Sequence, residues 1–328
     1  MALLFTKRRT PCYRLGMPGP WNFPVIGCMY LFRWSSSPYK ILAWLAWIYG
    51  NVYCINLGET TVVVINSMET VKEVLYSKSR DFAGRPQLFS FSLWGSEETS
   101  FMLKDYSSDF LQLKYKAEIS LQELLNKEES IACCRSLKAI KSLNESFESQ
   151  GSQNSAFDPV KSIRAAVADF IMDSMFGPCI SRWFYHEARF VLEQACSAYV
   201  KTAYVGACID FVSVMRHLSR KTLNSTKFHV AQLRAFVRRV YQIHLRSSLQ
   251  QSDYTQSLAF ILRSHDKGYR SSVDRENSSL ETRLEDETIV VLLTDIMFNA
   301  YEKISTCFEW EPTRIPEESM DKHAVVYM

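Results

Sequence analysis

The 328-residue sequence lacks the short signatures that declare many enzyme classes. It has no GxxxxGK[ST], no GxGxxG and no GxSxG, which removes the main support for a nucleotide-phosphate loop or a serine-hydrolase elbow. No repeat of fixed period runs through it, so a solenoid reading also falls. Neither sign of charge dominates: 38 Lys and Arg stand against 35 Asp and Glu, a formal net charge of +3. That balance does not mark a nucleic-acid-binding face, and no nucleic-acid partner is expected. Long apolar runs are missing too. The chain opens with a short apolar run, Ala2 to Phe5, before Lys7, Arg8 and Arg9. A bilayer span needs roughly 20 apolar residues and a secretory signal about 7–15, so residues 1–16 read as a short basic segment without a full membrane anchor. The most apolar later stretch, "YKILAWLAWIYG", is too short to span and has the spacing of an amphipathic core helix.

Nine cysteines, at 12, 28, 54, 133, 134, 179, 196, 208 and 307, form no CxxC pair and accompany no His at zinc-ligand spacing. The pattern is that of reduced, mostly buried thiols, and no metal-ligating set is expected among them. Triplets at Asn144, Asn224 and Asn277 match the glycan acceptor word but carry meaning only in a secretory lumen.

What is present is a large apolar fraction, 47% of residues, enough for a substantial core. "MPGPWNFPVIG" (Met17 to Gly27), rich in Pro and Gly, predicts an extended or turning entry segment. Residues 38–49 have helical spacing, stopped by Gly50-Asn51. "VYCINLG" and "TVVVIN" predict a hairpin across a Gly-Glu-Thr connection, and Ser67 is placed to N-cap a helix over 68–77. From residue 100 onward almost only helix is predicted: about 111–125, 130–147, 160–176, 182–205, 225–249, 254–264 and 285–310. Residues 144–159 and 264–287 read as polar loops. The fold class is mainly α with a small N-terminal β-sheet.

The words "PGPWNFPVIG", "IYGNVYCINLGETTVVVINSMETVKEVLYSKSRDFAGRP", "FDPVKSIRAAVADFIMDSMFG", "IDFVSVMRHL" and "LTDIMFNAYEKISTCFEW" stand in an order that resembles the microsomal cytochromes P450. The wording is most similar to the branch holding steroid 17α-hydroxylase and the aryl-hydrocarbon hydroxylases. The resemblance covers residues 17–310 and implies the N-terminal part of that fold, ending at its long central helix, with 311–328 an off-family tail. It further implies a haem (iron) cofactor, NADPH-cytochrome reductase as redox partner and insertion of one oxygen atom into an apolar substrate such as a steroid or xenobiotic. The implied location is the cytoplasmic face of the endoplasmic reticulum membrane, or the cytoplasm if the anchor is truly missing.

In that family the last quoted word crosses the distal face of the haem. Asp295, Asn299, Glu302 and Thr306 follow at steps of four, three and four, which puts them on one helical face. The resemblance implies that Asp295 and Phe298 face substrate, that Glu302 keeps the acid relaying protons toward oxygen, and that Lys303 replaces a Thr hydroxyl donor. Asn299 and Ala300 replace the small pair where the helix opens over the haem. An ammonium is longer than a hydroxyl and costly to bury, so ordinary oxygen activation is not expected of this helix. In "DYSSDFLQLKYK" the positions implied to hold the haem propionates carry Phe110, Leu111 and Lys114. Phe110 has no indole N–H, Leu111 cannot pair with a carboxylate, and Lys114 offers a point charge where a bidentate fork is usual.

The family's axial thiolate lies in a Phe-x-x-Gly-x-x-x-Cys-x-Gly loop, and none of the nine cysteines has those surroundings. Cys307 falls inside the helix itself. "EPTR" (Glu311 to Arg314) matches a later family word only superficially, because Pro312 interrupts it. The expectation is therefore a member of the family that is catalytically inactive by itself. A non-catalytic interaction or ligand-binding protein, with peripheral membrane contact, remains the alternative. For Glu302 a paired or solvated carboxylate stands beside the proton-relay reading. The aromatic runs at 88–94 and 182–190 read as core before a substrate pocket or membrane-facing region, and His186 as a surface or core histidine before a metal ligand.

Overall fold

A computed structural model describes residues 2–5, 16–34, 38–86, 88–94, 100–101, 103–127, 129–151, 159–177, 180–247, 257–268 and 286–310. Strand β1 (Ala2–Phe5) precedes helix α1 (Pro38–Tyr49), strands β2 (Val52–Leu57) and β3 (Thr60–Ile65), and helix α2 (Met68–Lys72), which runs on as a π-turn over Glu73–Ser77. Helices α3 (Phe89–Trp94), α4 (Ser108–Lys127), α5 (Glu129–Gly151) and α6 (Pro159–Phe176) follow. The chain continues through α7 (Arg182–Phe211), α8 (Ser213–Leu218), α9 (Arg220–Ser247), α10 (Leu258–Gly268) and α11 (Asp286–Trp310). The chain separates into two compact units, one of residues 1–119, 194–235 and 282–295, the other of 120–193, 236–281 and 296–328.

In the first unit the hairpin is the organising element. Val52 pairs with Ile65 and Leu57 with Thr60, antiparallel, and Gly58-Glu59 makes the turn. Gly58 has φ +53°, and a Cβ there would lie 2.1 Å from the carbonyl oxygen of Phe211, so only glycine fits. Strand β1 pairs antiparallel with the far side of β3, giving the order β1-β3-β2. The sequence reading missed β1 because its apolar run was weighed only as a targeting signal.

Both faces of the hairpin are covered, which explains the unbroken Val-Val-Val of β3. Tyr53, Ile55, Val62 and Val64 pack with Leu42 and Leu45 of α1 and with Cys28. Cys54, Val63 and Ile65 pack on the other face with Val74. Each Val, Leu or Ile so buried contributes roughly 1.5–3 kcal/mol. The Tyr53 hydroxyl, buried with its ring, donates to the carbonyl of Leu42 at 2.7 Å. Gly50, at φ +93°, ends α1 as the sequence predicts. Ser67 stands at the N-cap of α2 with extended backbone, yet its hydroxyl makes no capping hydrogen bond.

The second unit is helical among its described residues. Helix α6 lies against α5 and α10, burying Ile163, Val167, Ile171, Met172 and Phe176. A polar network sits on it: Tyr185 donates to Asp173, Lys138 lies 3.6 Å from the same carboxylate, and Arg189 forms a two-pronged pair with Asp169. Gly177, at φ +81°, closes α6. Two differences from the sequence reading occur here. Residues 148–151, expected only as loop, continue α5, and 265–268 continue α10. Polar runs rich in Ser, Gln, Asp and Gly read as loop from sequence even where the backbone stays helical. Residues 152–158, 269–285 and 311–328, which hold the rest of both expected loops, Asn277 and the tail, lie outside the described residues.

Candidate functional site

Helix α11 carries most of the residues singled out in the sequence. Its first part belongs to the first unit, where Ser100 donates to Asp295 Oδ2 at 2.8 Å. Ser100 is buried, so Asp295 is a fixed hydrogen-bond acceptor tying the segment before α4 to α11. Thr294 back-bonds to the Val290 carbonyl at 2.7 Å.

The remainder belongs to the second unit. Met297, Phe298 and Tyr301 are buried, Asn299, Ala300 and Glu302 are half-buried, and Lys303, Thr306 and Cys307 are exposed. Thr306 Oγ1 donates to the Glu302 carbonyl at 2.7 Å, a bond that occupies the hydroxyl and tends to bend a helix. Ser305 Oγ is buried without a hydrogen-bond partner.

The α4 positions are engaged with their own neighbours in the first unit. Phe110, 9% exposed, stacks on Phe101 with ring centres 5.3 Å apart and 20° between planes. The Arg85 guanidinium lies 5.7 Å from the centre of the Phe110 ring. Arg85 is held there by its Nε donating to the Lys104 carbonyl and its backbone N–H donating to Asp105 Oδ1. Leu111 is exposed at 43%. Lys114 lies 3.6 Å from Glu118 one turn on, both side chains about half exposed.

Residues 17–311 match the family model described as Cytochrome P450. The chain belongs to the cytochrome P450 family. It is 24% identical to cytochrome P450 1A2 of Felis catus over 299 residues, 89% of this chain and 56% of that protein. It is 26% identical to cytochrome P450 1A1 of Oryctolagus cuniculus over 315 residues, 93% of this chain and 58% of the relative. Cytochrome P450 1A2 of Rattus norvegicus is 25% identical, with 93% and 58% covered. The chain thus spans somewhat over half the length of these relatives.

A P450 of this kind implies a haem, and the residues present can be tested against it. They do not fit a haem held by this chain alone. The face of Phe110 is filled by Phe101 and Arg85, Leu111 has no polar atom to offer, and the Lys114 ammonium is matched by Glu118. Among the described residues no cluster of three His, Cys, Asp or Glu could hold a metal ion. Of the described cysteines, Cys28, Cys54 and Cys196 are buried and form no disulfide, and Cys307 is exposed. His186 is exposed.

Sequence reasoning missed the polar joints of the first unit. Ser100 gave no signal, because its partner lies 195 residues away. Asp210 accepts from both the N–H and the hydroxyl of Ser90, at 2.6 and 2.9 Å. Arg216 braces the same joint, donating to the carbonyls of Ile209 and Asp210, with its guanidinium 4.6 Å from the Phe89 ring centre. The joint holds α3, the run read from sequence as core or pocket lining, to the α7–α8 connection.

Proposed function

We propose that this chain carries the distal, substrate-side part of a haem-dependent P450 monooxygenase that hydroxylates a steroid or other apolar molecule with electrons from NADPH-cytochrome reductase. We further propose that the 328 residues do not turn over by themselves. The observation that carries this reading is the state of α11. Glu302 is half-buried, which supports a proton-handling role, whereas Lys303, where the resemblance puts a hydroxyl, is exposed, which supports the loss of that donor. The proposed substrate side is Asp295, anchored by Ser100, in the first unit, and the buried Phe298 in the second. Asn299 and Ala300 fill the proposed helix opening. On α4, Phe110 and Lys114 are the proposed cofactor-side positions, and their present partners support the weakened anchoring. A bound haem would supply the redox and oxygen chemistry. A carbon monoxide difference spectrum of the reduced, haem-supplemented chain tests the proposal. No thiolate-type Soret band is expected, and its appearance would overturn the inactivity.

The alternative, a non-catalytic protein contacting a membrane surface of the endoplasmic reticulum, draws on one observation. Trp21, Trp44 and Trp47 are exposed at 68%, 54% and 85%, as are Val25 at 63%, Val214 at 62% and Leu218 at 75%. Exposed indoles favour the interface between water and lipid. No helix among the described residues is long and apolar enough to cross a membrane. Co-flotation with vesicles of microsomal lipid is the expected result, and loss of flotation in a Trp44→Ser, Trp47→Ser variant would assign it to α1.

A further inference from the structure

A cavity of about 280 Å³ opens between α7 and α9, within the first unit. Thr226, one of its lining residues, is buried and shares a 2.6 Å hydrogen bond with Thr202 behind it, and Thr202 also donates to the Ala198 carbonyl at 2.8 Å. Lys201 from α7 and Lys221 from α9 line it from opposite helices, with Ser197 and Ser225 beside them. His229 contributes a ring whose Nδ1 is buried and has no hydrogen-bond partner. No Asp or Glu is among the lining residues, and neither lysine has a carboxylate partner among the described residues.

We infer that this cleft is an oxyanion site, taking a phosphate or sulfate group through Lys201, Lys221 and the His229 ring. Two ammonium groups from separate helices, the Ser197 and Ser225 hydroxyls and the His229 ring line one cavity that carries no carboxylate. Two like charges lining one cavity repel weakly through solvent, and an anion between them replaces that repulsion with attraction to both. A tetrahedral anion satisfies all of these donors at once, with charge-assisted hydrogen bonds. The cavity exceeds the size of the inorganic ion, which leaves room for the ester carbon of a headgroup or of a soluble monoester. The inference is independent of the monooxygenase reading.

The test is titration of the full chain with inorganic phosphate, followed by calorimetry and by thermal unfolding, against the Lys201→Gln, Lys221→Gln double variant. Both lysines are exposed, so the variant is expected to fold as the wild type does. Saturable binding is expected, weakened about tenfold or more in the double variant, the equivalent of one lost charge-assisted hydrogen bond. His229→Gln is expected to weaken it while leaving the lysines in place. Vesicles of phosphatidate and of phosphatidylcholine separate the sources. Retention on phosphatidate alone, competed by free phosphate, assigns a lipid headgroup. Phosphate binding without vesicle retention assigns a soluble ester. Absence of phosphate binding, or equal binding by wild type and double variant, overturns the site.

Discussion

Replacing Asp210 tests how the α3 joint is held. The carboxylate accepts the Ser90 N–H at 2.6 Å and the Ser90 hydroxyl at 2.9 Å, so it acts as a cap supplied from far away to the first turn of α3. Hydrogen bonds to a charged acceptor are worth roughly 1.5–3 kcal/mol each, and a helix cap about 1. Against this stands the cost of burying the carboxylate, which raises the Asp210 pKa above its ordinary value despite the lowering effects of Ser90 and Arg216. Asp210→Ala strands the Ser90 N–H and is expected to cost about 2–4 kcal/mol in urea unfolding. Asp210→Asn keeps an acceptor for the N–H and presents an amide to the hydroxyl, so a loss of less than about 1 kcal/mol is expected. The pH dependence follows from the sign of the shift. Because the folded state holds the proton more tightly than the unfolded chain, the contribution of Asp210 to stability is fully present below its ordinary pKa and lost as pH rises through the folded value. The stability difference between wild type and Asp210→Asn should therefore move in favour of the wild type as pH falls through that window. An Asn variant as damaged as Ala, or a difference moving the other way, would refute the reasoning.

His244, buried against Phe176, shares a 2.8 Å hydrogen bond between its Nε2 and Ser257 Oγ, and burial with the nearby Arg263 charge lowers its pKa to about 4. Its folded state resists protonation, so stability is present above the ordinary pKa of 6.5 and lost as pH falls toward 4, by up to about 3 kcal/mol. Unfolding at stepped pH should show His244→Gln losing that slope. In the hairpin turn Gly58→Ala meets the Phe211 carbonyl as well as a left-handed backbone. A loss of about 3 kcal/mol or more is expected, whereas Gly50→Ala, left-handed but open on all sides, should cost only about 1 kcal/mol; thermal unfolding of the two variants gives the comparison.

Fold and site differed in how far the residues disclosed them. Helix α1, the hairpin and the long helices from α4 to α11 were legible because their apolar spacing repeats over many residues. The end of α1 was legible because Gly50 needs a conformation that few other residues adopt. The continuation of α5 through Gly151 was not, since a polar run such as Glu148-Ser149-Gln150-Gly151 suits a helix and a loop equally in sequence. The family words placed Glu302 and Lys303 on α11 and Phe110 and Lys114 on α4, and the structure puts each on its expected helix. What those side chains touch was illegible: Arg85 over Phe110, Ser100 on Asp295 and Ser90 on Asp210 join residues 25 to 195 positions apart. Single polar residues carry no periodic trace of such a partner.

Strand β3 has a consequence for tolerance to change. Thr61, Val62, Val63, Val64 and Ile65 are all buried at consecutive positions, because β1 and β2 flank the strand and both of its faces are roofed. A saturation library across it should show five adjacent intolerant columns with no even-odd rhythm. Tolerance in this part of the chain is expected instead at exposed positions of α1 such as Tyr39 and Lys40.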